Sequence, residues 1–207
     1  MQVIVLADEA GREELMTKEF PNNVQLTFAE NLPAVIKEKA ADVFFILKEG
    51  LVVEDPAGFQ GKPVFINSTL DTLEDLTLPG NFIRINGWPT FLKRQVWEVA
   101  TKNELVVKNT FEKLAWQYII VADEPGLVSA RIISMIVNEA YFALGEDVSS
   151  KEEIDLAMKL GTNYPHGPFE WSKKIGLRRI NNLLQKLTET GSRYAIAPAL
   201  KNELEDI

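Results

Sequence analysis

Six short runs rich in β-branched and aromatic residues, at positions 3–6, 24–28, 42–47, 63–67, 82–86 and 95–100, punctuate the first hundred residues of the chain. The stretches between them leave room for crossover helices such as residues 13–20 and 32–40, and strands that alternate with helices build a parallel α/β sheet. A helix over 104–115 then leads into one more apolar run at 118–122. After Pro125 the pattern changes. Residues 127–144 are almost continuously apolar, long enough to suggest a membrane span until Arg131, Asn138 and Glu139 are counted inside it; the run reads as a core helix. Pro125 suits its first turn and Gly145 its end. Ser150 and Glu153 form a capping-box pair opening a helix whose Ile154, Ala157, Met158 and Leu160 share one face and which stops at Gly161. Helical stretches at 169–175 and 177–190 follow the turn-rich residues 164–168, and a polar C-terminal segment closes the chain. The pattern predicts an α/β domain over residues 1–122 followed by an all-α domain over 123–207.

Composition narrows the functional classes. At 207 residues, with 46% hydrophobic and 25% charged, the chain is of ordinary globular type. Its 22 Lys and Arg against 30 Asp and Glu give a formal charge of −8, which disfavours nucleic acid as a partner. The chain has no cysteine, which removes disulfides, thiolate nucleophiles and Cys-based metal sites, and one histidine, His166, which leaves multi-His metal sites unsupported. The N-terminus turns acidic within eight residues and lacks a basic n-region, so it predicts a cytoplasmic protein with no membrane association.

Residues 123–200 carry a spaced set: Asp123-Glu-Pro-Gly126, Arg131, Asn138-Glu-Ala140, Ile154-Asp155, Ala157-Met158, Gly161, Pro165, Gly167-Pro168, Glu170 and Ile175-Gly-Leu177. In this combination the segment resembles the helical domain of 3-hydroxyacyl-CoA dehydrogenases. The resemblance implies a dinucleotide-binding Rossmann-like domain, here shortened, followed by a helical domain that mediates homodimerisation and helps enclose an acyl-CoA. NAD is the cofactor it implies.

Site residues carry over position by position. The family's strand ending in histidine, its N-P-V-P-like loop and a glutamate twelve positions on match residues 85–99, with Asn86 at the histidine and Glu98 at the glutamate. The histidine takes the hydroxyl proton as hydride leaves; an asparagine amide cannot accept it, although it can hydrogen-bond an oxygen. Asn67-Ser68-Thr69-Leu70 resembles the substrate-binding N-T-S-S-L loop, so Ser68 or Thr69 could contact substrate, or could simply mark a strand end and cap a helix N-terminus. The family's P-G-F-x-x-N-R becomes Pro125-Gly-Leu-Val-Ser-Ala130-Arg131, which replaces an active-site asparagine with Ala130. Where a dinucleotide site needs a G-x-G-x-x-G turn, the chain has Ala7-Asp-Glu-Ala-Gly-Arg12: one glycine, Gly11, and the two carboxylates of Asp8 and Glu9, which Arg12 only partly balances.

His166 reads as a solvated turn residue, Glu170, Trp171 and Trp97 as packing residues, and Lys173, Lys174, Arg178 and Arg179 as an exposed basic face or a contact for CoA phosphates. Two functions follow. Residue chemistry favours a catalytically impaired dehydrogenase homologue that binds an acyl-CoA-like ligand or acts as a dimeric module. The alternative is an active NAD-dependent oxidoreductase acting on 3-hydroxyacyl-CoA.

Overall fold

The computed structural model describes residues 1–206, which divide into two compact units, the first Met1–Leu127 and the second from Val128 onward. The division falls just beyond the turn at Pro125 and Gly126.

The first unit is built on a seven-stranded sheet: β1 (Gln2–Leu6), β2 (Gln25–Phe28), β3 (Val43–Ile46), β4 (Val64–Asn67), β5 (Phe82–Ile85), β6 (Val96–Thr101) and β7 (Gln117–Ile120), in the order β2-β1-β3-β4-β5-β6-β7. All neighbours run parallel except β5 and β6. The fold is therefore α/β and Rossmann-like, with one antiparallel pair where an all-parallel sheet was expected. β3, β4 and β5 are buried at every position, as strands covered on both faces must be.

One face packs Val5, Phe45, Phe65, Ile85, Trp97 and Val99 against Leu15 and Phe111. Leu15 belongs to α1 (Glu9–Met16) and Phe111 to α3 (Glu104–Leu114). Phe45 stacks on Phe65 at 4.8 Å, and Trp97 meets Trp116 at 5.0 Å. The other face packs Ile4, Phe44, Ile46, Val64 and Phe82 against Val35 of α2 (Leu32–Lys37) and Phe59 of a 3-10 turn (Pro56–Phe59). α1 begins at Glu9 rather than near residue 13, because the Asp8 side chain accepts the Gly11 N–H at 2.8 Å and caps the helix early.

The helical unit contains α4 (Ser129–Gly145), α5 (Lys151–Thr162), α6 (Pro168–Ile175), α7 (Leu177–Thr188) and α8 (Pro198–Glu205). Pro125 lies in the turn before α4 and not in its first turn. The polar C-terminal segment is also helical. Buried Asn138 donates to the Ala195 carbonyl at 2.8 Å and accepts the Ala197 N–H at 2.9 Å, which fixes the entry to α8, and Leu200 then enters the core. In α5 the residue that is buried is Asp155, whose carboxylate accepts the N–H groups of Phe169 and Glu170 and caps α6; Leu160, expected on the buried face, is 78% exposed. No helix among the described residues is long and apolar enough to cross a membrane.

Tyr141 of α4 is fully buried, with its hydroxyl near Ser172 and Glu203 but in good hydrogen-bond geometry with neither. Burial first, and the Glu203 carboxylate second, push its phenol well above the ordinary value. Below about pH 10 Tyr141 is protonated folded and unfolded, and it gives stability no pH dependence. Above that, only the unfolded phenol ionises, so stability falls as pH rises, by up to about 1.4 kcal/mol per unit. Urea titrations above pH 10 should show this decline in the wild type and a shallower one in Tyr141→Phe, with little difference between the two near pH 7.

Candidate functional site

The β5–β6 register pairs Ile83 with Thr101, Arg84 with Ala100 and Ile85 with Val99. Continued by one residue, it sets Asn86 opposite Glu98. The twelve-residue spacing is thus the signature of an antiparallel pair, and both side chains line one crevice of about 10 Å³ with Phe91, Arg94, Val96 and Trp97, room for about one water.

Asn86 is 7% exposed, and its Oδ1 accepts the Trp88 N–H at 3.2 Å. That bond fixes the orientation of the amide: Nδ2, buried and without a protein partner, remains as the group available to the crevice. Position 86 therefore offers a donor and no proton acceptor. Glu98 has a cation beside it in Arg94. Burial depresses the Arg94 guanidinium below its ordinary value, and the Glu98 carboxylate partly offsets this. Sequence reasoning missed Arg94, which only the fold of residues 87–95 brings back to Glu98.

Ser68 is not part of this pair. Its hydroxyl donates to the Asp71 carbonyl at 2.8 Å and its own carbonyl accepts Arg84 Nε at 3.0 Å, while neighbouring Thr69 is buried at 2% exposure. Arg84, fully buried, also pairs with Asp123 and donates to the Glu124 carbonyl at 3.3 Å, so its strong charge holds the chain leaving the sheet; burial lowers its pKa and Asp123 opposes that shift. Asn67 joins three strand ends. Its Nδ2 donates to the Leu47 and Gly87 carbonyls at 3.0 and 3.2 Å, and its Oδ1 accepts the Gly87 N–H at 2.9 Å.

At the first turn, Asp8 caps α1, Glu9 opens it, and the Arg12 guanidinium lies 4.3 Å from the centre of the Phe28 ring. Leu92 lies against the same turn, its Cδ1 3.7 Å from the position that a Cβ on Gly11 would take.

In the helical unit, Ala130 is buried, and His166 stands edge-on to Trp171 at 4.8 Å with its Nδ1 3.8 Å from a Glu170 oxygen. Lys173, Lys174, Arg178 and Arg179 are all exposed, and Arg179 donates to the Ile175 carbonyl at 2.8 Å. Among the described residues, no group of three or more His, Asp or Glu is placed to hold a metal ion.

Residues 126–206 match the family profile for the 3-hydroxyacyl-CoA dehydrogenase C-terminal domain. The 3-hydroxyadipyl-CoA dehydrogenase of Escherichia coli is 48% identical over 67 residues, 32% of this chain and 14% of that protein. The 3-hydroxybutyryl-CoA dehydrogenase of Bradyrhizobium diazoefficiens is 37% identical over 100 residues, 47% of this chain and 34% of that protein. The chain thus spans about a third or less of these two relatives. The crystal structure of (S)-3-hydroxybutyryl-CoA dehydrogenase from Ralstonia eutropha superposes with a TM-score of 0.73 at 17% identity, covering 99% of this chain and 93% of that one, which shows a shared fold. The family match is thus confined to the helical half, and what extends over the rest of the chain is the shared fold.

A Cβ at position 87 would sit 2.6 Å from Asn67 Cγ, a side chain its own hydrogen bonds hold in place. Gly87→Ala should therefore cost about 1–3 kcal/mol, read as a lower urea midpoint at unchanged slope. An unchanged midpoint would show that the three strand ends are not locked together in this way.

Proposed function

We propose that this protein is a catalytically impaired 3-hydroxyacyl-CoA dehydrogenase homologue that works as a dimeric module with affinity for an acyl-CoA-like ligand. The observation that carries this reading is the state of position 86: the amide oxygen accepts the Trp88 N–H, and the amide nitrogen, a donor, is buried without a protein partner beside the crevice that Glu98 also lines. Hydride removal from an alcohol needs a group that takes the hydroxyl proton, and a positioned base contributes about 10²–10⁴-fold. Glu98 has no imidazole to orient and is balanced instead by Arg94. Ala130 supplies no polar atom where the resemblance implies an asparagine.

NAD is the cofactor that the resemblance implies, and the first turn does not fit it. The amide at the start of α1 is taken by the Asp8 carboxylate, Glu9 adds a second negative charge, and Arg12 is engaged with Phe28. A diphosphate would meet repulsion where it needs free N–H groups. No step of hydride transfer is assigned to this chain.

Dimerisation is supported by apolar side chains that the helical unit leaves open: Ile132 on α4 is 50% exposed, and on α5 Leu156 is 54% and Leu160 78% exposed. A second copy is the partner that would cover them.

With acetoacetyl-CoA and NADH, absorbance should show no more than trace turnover; a rate near the usual enzyme median of about 10 per second would overturn the reading. Asn86→His should recover little activity while Ala130 and the first turn are unchanged. Light scattering at micromolar concentration should give a dimer, and Leu156→Lys with Leu160→Lys should give a monomer. A wild-type monomer would exclude the dimeric part of the proposal. Acetoacetyl-CoA alone should raise the unfolding temperature, whereas the absence of any shift at saturating concentration would exclude the ligand.

A further inference from the structure

In a doubly wound sheet, ligands bind outside the carboxyl ends of the strands at the switch point, where successive connections leave in opposite directions. Here β1 has β2 on one side and β3 on the other, so the switch point lies beyond Leu6 and Ile46. The carboxyl ends of β4 and β5 share that edge, and β6 starts from it because it runs antiparallel to β5. Residues 87–95, which connect β5 to β6, are thereby delivered to the edge where a dinucleotide would lie.

Anchors recur along this segment. Trp88, 1% exposed, donates its indole N–H to Glu49 just beyond β3 at 3.1 Å. The Thr90 N–H donates to Glu14 of α1. Leu92, 2% exposed, shares a core with Val5, Leu15 and Leu47, and its carbonyl accepts the Trp97 indole N–H at 3.0 Å. The Arg94 carbonyl accepts from Lys18 at 2.8 Å. Thr90 sits at φ +80°, a left-handed conformation that a β-branched residue adopts only under constraint from its surroundings. Leu92 also reaches the first turn, its Cδ1 3.7 Å from the position that a Cβ on Gly11 would take.

We infer that residues 87–95 are a built-in occupant of the dinucleotide crevice, held on α1 by Glu14 and on the end of β3 by Glu49, so that the crevice is closed to a nicotinamide dinucleotide by the chain itself. This deepens the proposed function, and it adds a steric cause that is independent of the missing base. It also gives the first unit a role: the sheet edge is a packed surface of the protein and not a cofactor site.

Hydrogen exchange on the full chain tests it. The amides of Trp88, Thr90 and Phe91 should exchange as slowly as those of β3 and β4, and NADH at roughly 1 mM, the upper end of ordinary KM values, should leave residues 8–12 and 87–95 unchanged. Glu14→Ala should speed exchange at Thr90 by about tenfold or more, as loss of a hydrogen bond to a charged group implies, with β3 and β4 unaffected. Glu14→Gln, which keeps a carbonyl acceptor, should restore most of the protection. Exchange in the wild-type segment as fast as at the chain termini would overturn the inference, as would slowing by NADH at residues 8–12, and these wild-type results decide it even if Glu14→Ala does not fold. NADH binding without turnover would sink this inference together with the misfit of the first turn and leave the impaired chemistry at position 86 standing, whereas turnover would sink the latter.

Discussion

The antiparallel pairing of β5 with β6 is the constraint on which the rest of the site depends. A parallel strand that ends at the carboxyl edge and a partner that returns from the same edge must be joined across that edge. The connection is too short to leave it, and it carries Trp88, Phe91 and Leu92, whose apolar area must be buried somewhere. The nearest surface is the end of the sheet between β1 and β3. Topology and hydrophobicity therefore put the segment where the general architecture of such sheets would admit a ligand.

The same register determines the chemistry. Continued by one residue it brings positions 86 and 98 to one crevice, a placement suited to a base and the carboxylate that orients it. With asparagine at position 86 the pair keeps its geometry and loses its proton acceptor. The Trp88 N–H then fixes which amide atom faces inward, and Arg94 supplies the positive charge beside Glu98. A half-buried carboxylate with a neighbouring cation keeps its charge balanced, and it carries out no proton transfer by itself.

The order of α/β and then all-α was legible in the sequence, because β-branched runs in the first half and the long apolar helix in the second are period signals that need no tertiary information. The correspondence of Asn86 and Glu98 came from the resemblance, which supplies the histidine and glutamate whose spacing these two residues keep. The direction of β6 was not: an antiparallel strand reads like a parallel one in composition. Asp155 was hidden for a related reason. It lies among apolar residues of α5, and its role as the cap of α6 requires knowing that residues 167–170 return to it. α8 looked polar because its anchor, Asn138, is 57 positions from Ala195. Arg94 and Glu14 likewise acquire meaning only once residues 87–95 are laid across the sheet.

The account rests on that edge being filled from within, and calorimetric titration of NADH into the full chain is the most direct measurement of it. No heat of binding is expected at any concentration up to the millimolar range. A saturable isotherm with a dissociation constant in the low micromolar range would contradict the account, because it would require the crevice beside Gly11 to be open and free of Leu92.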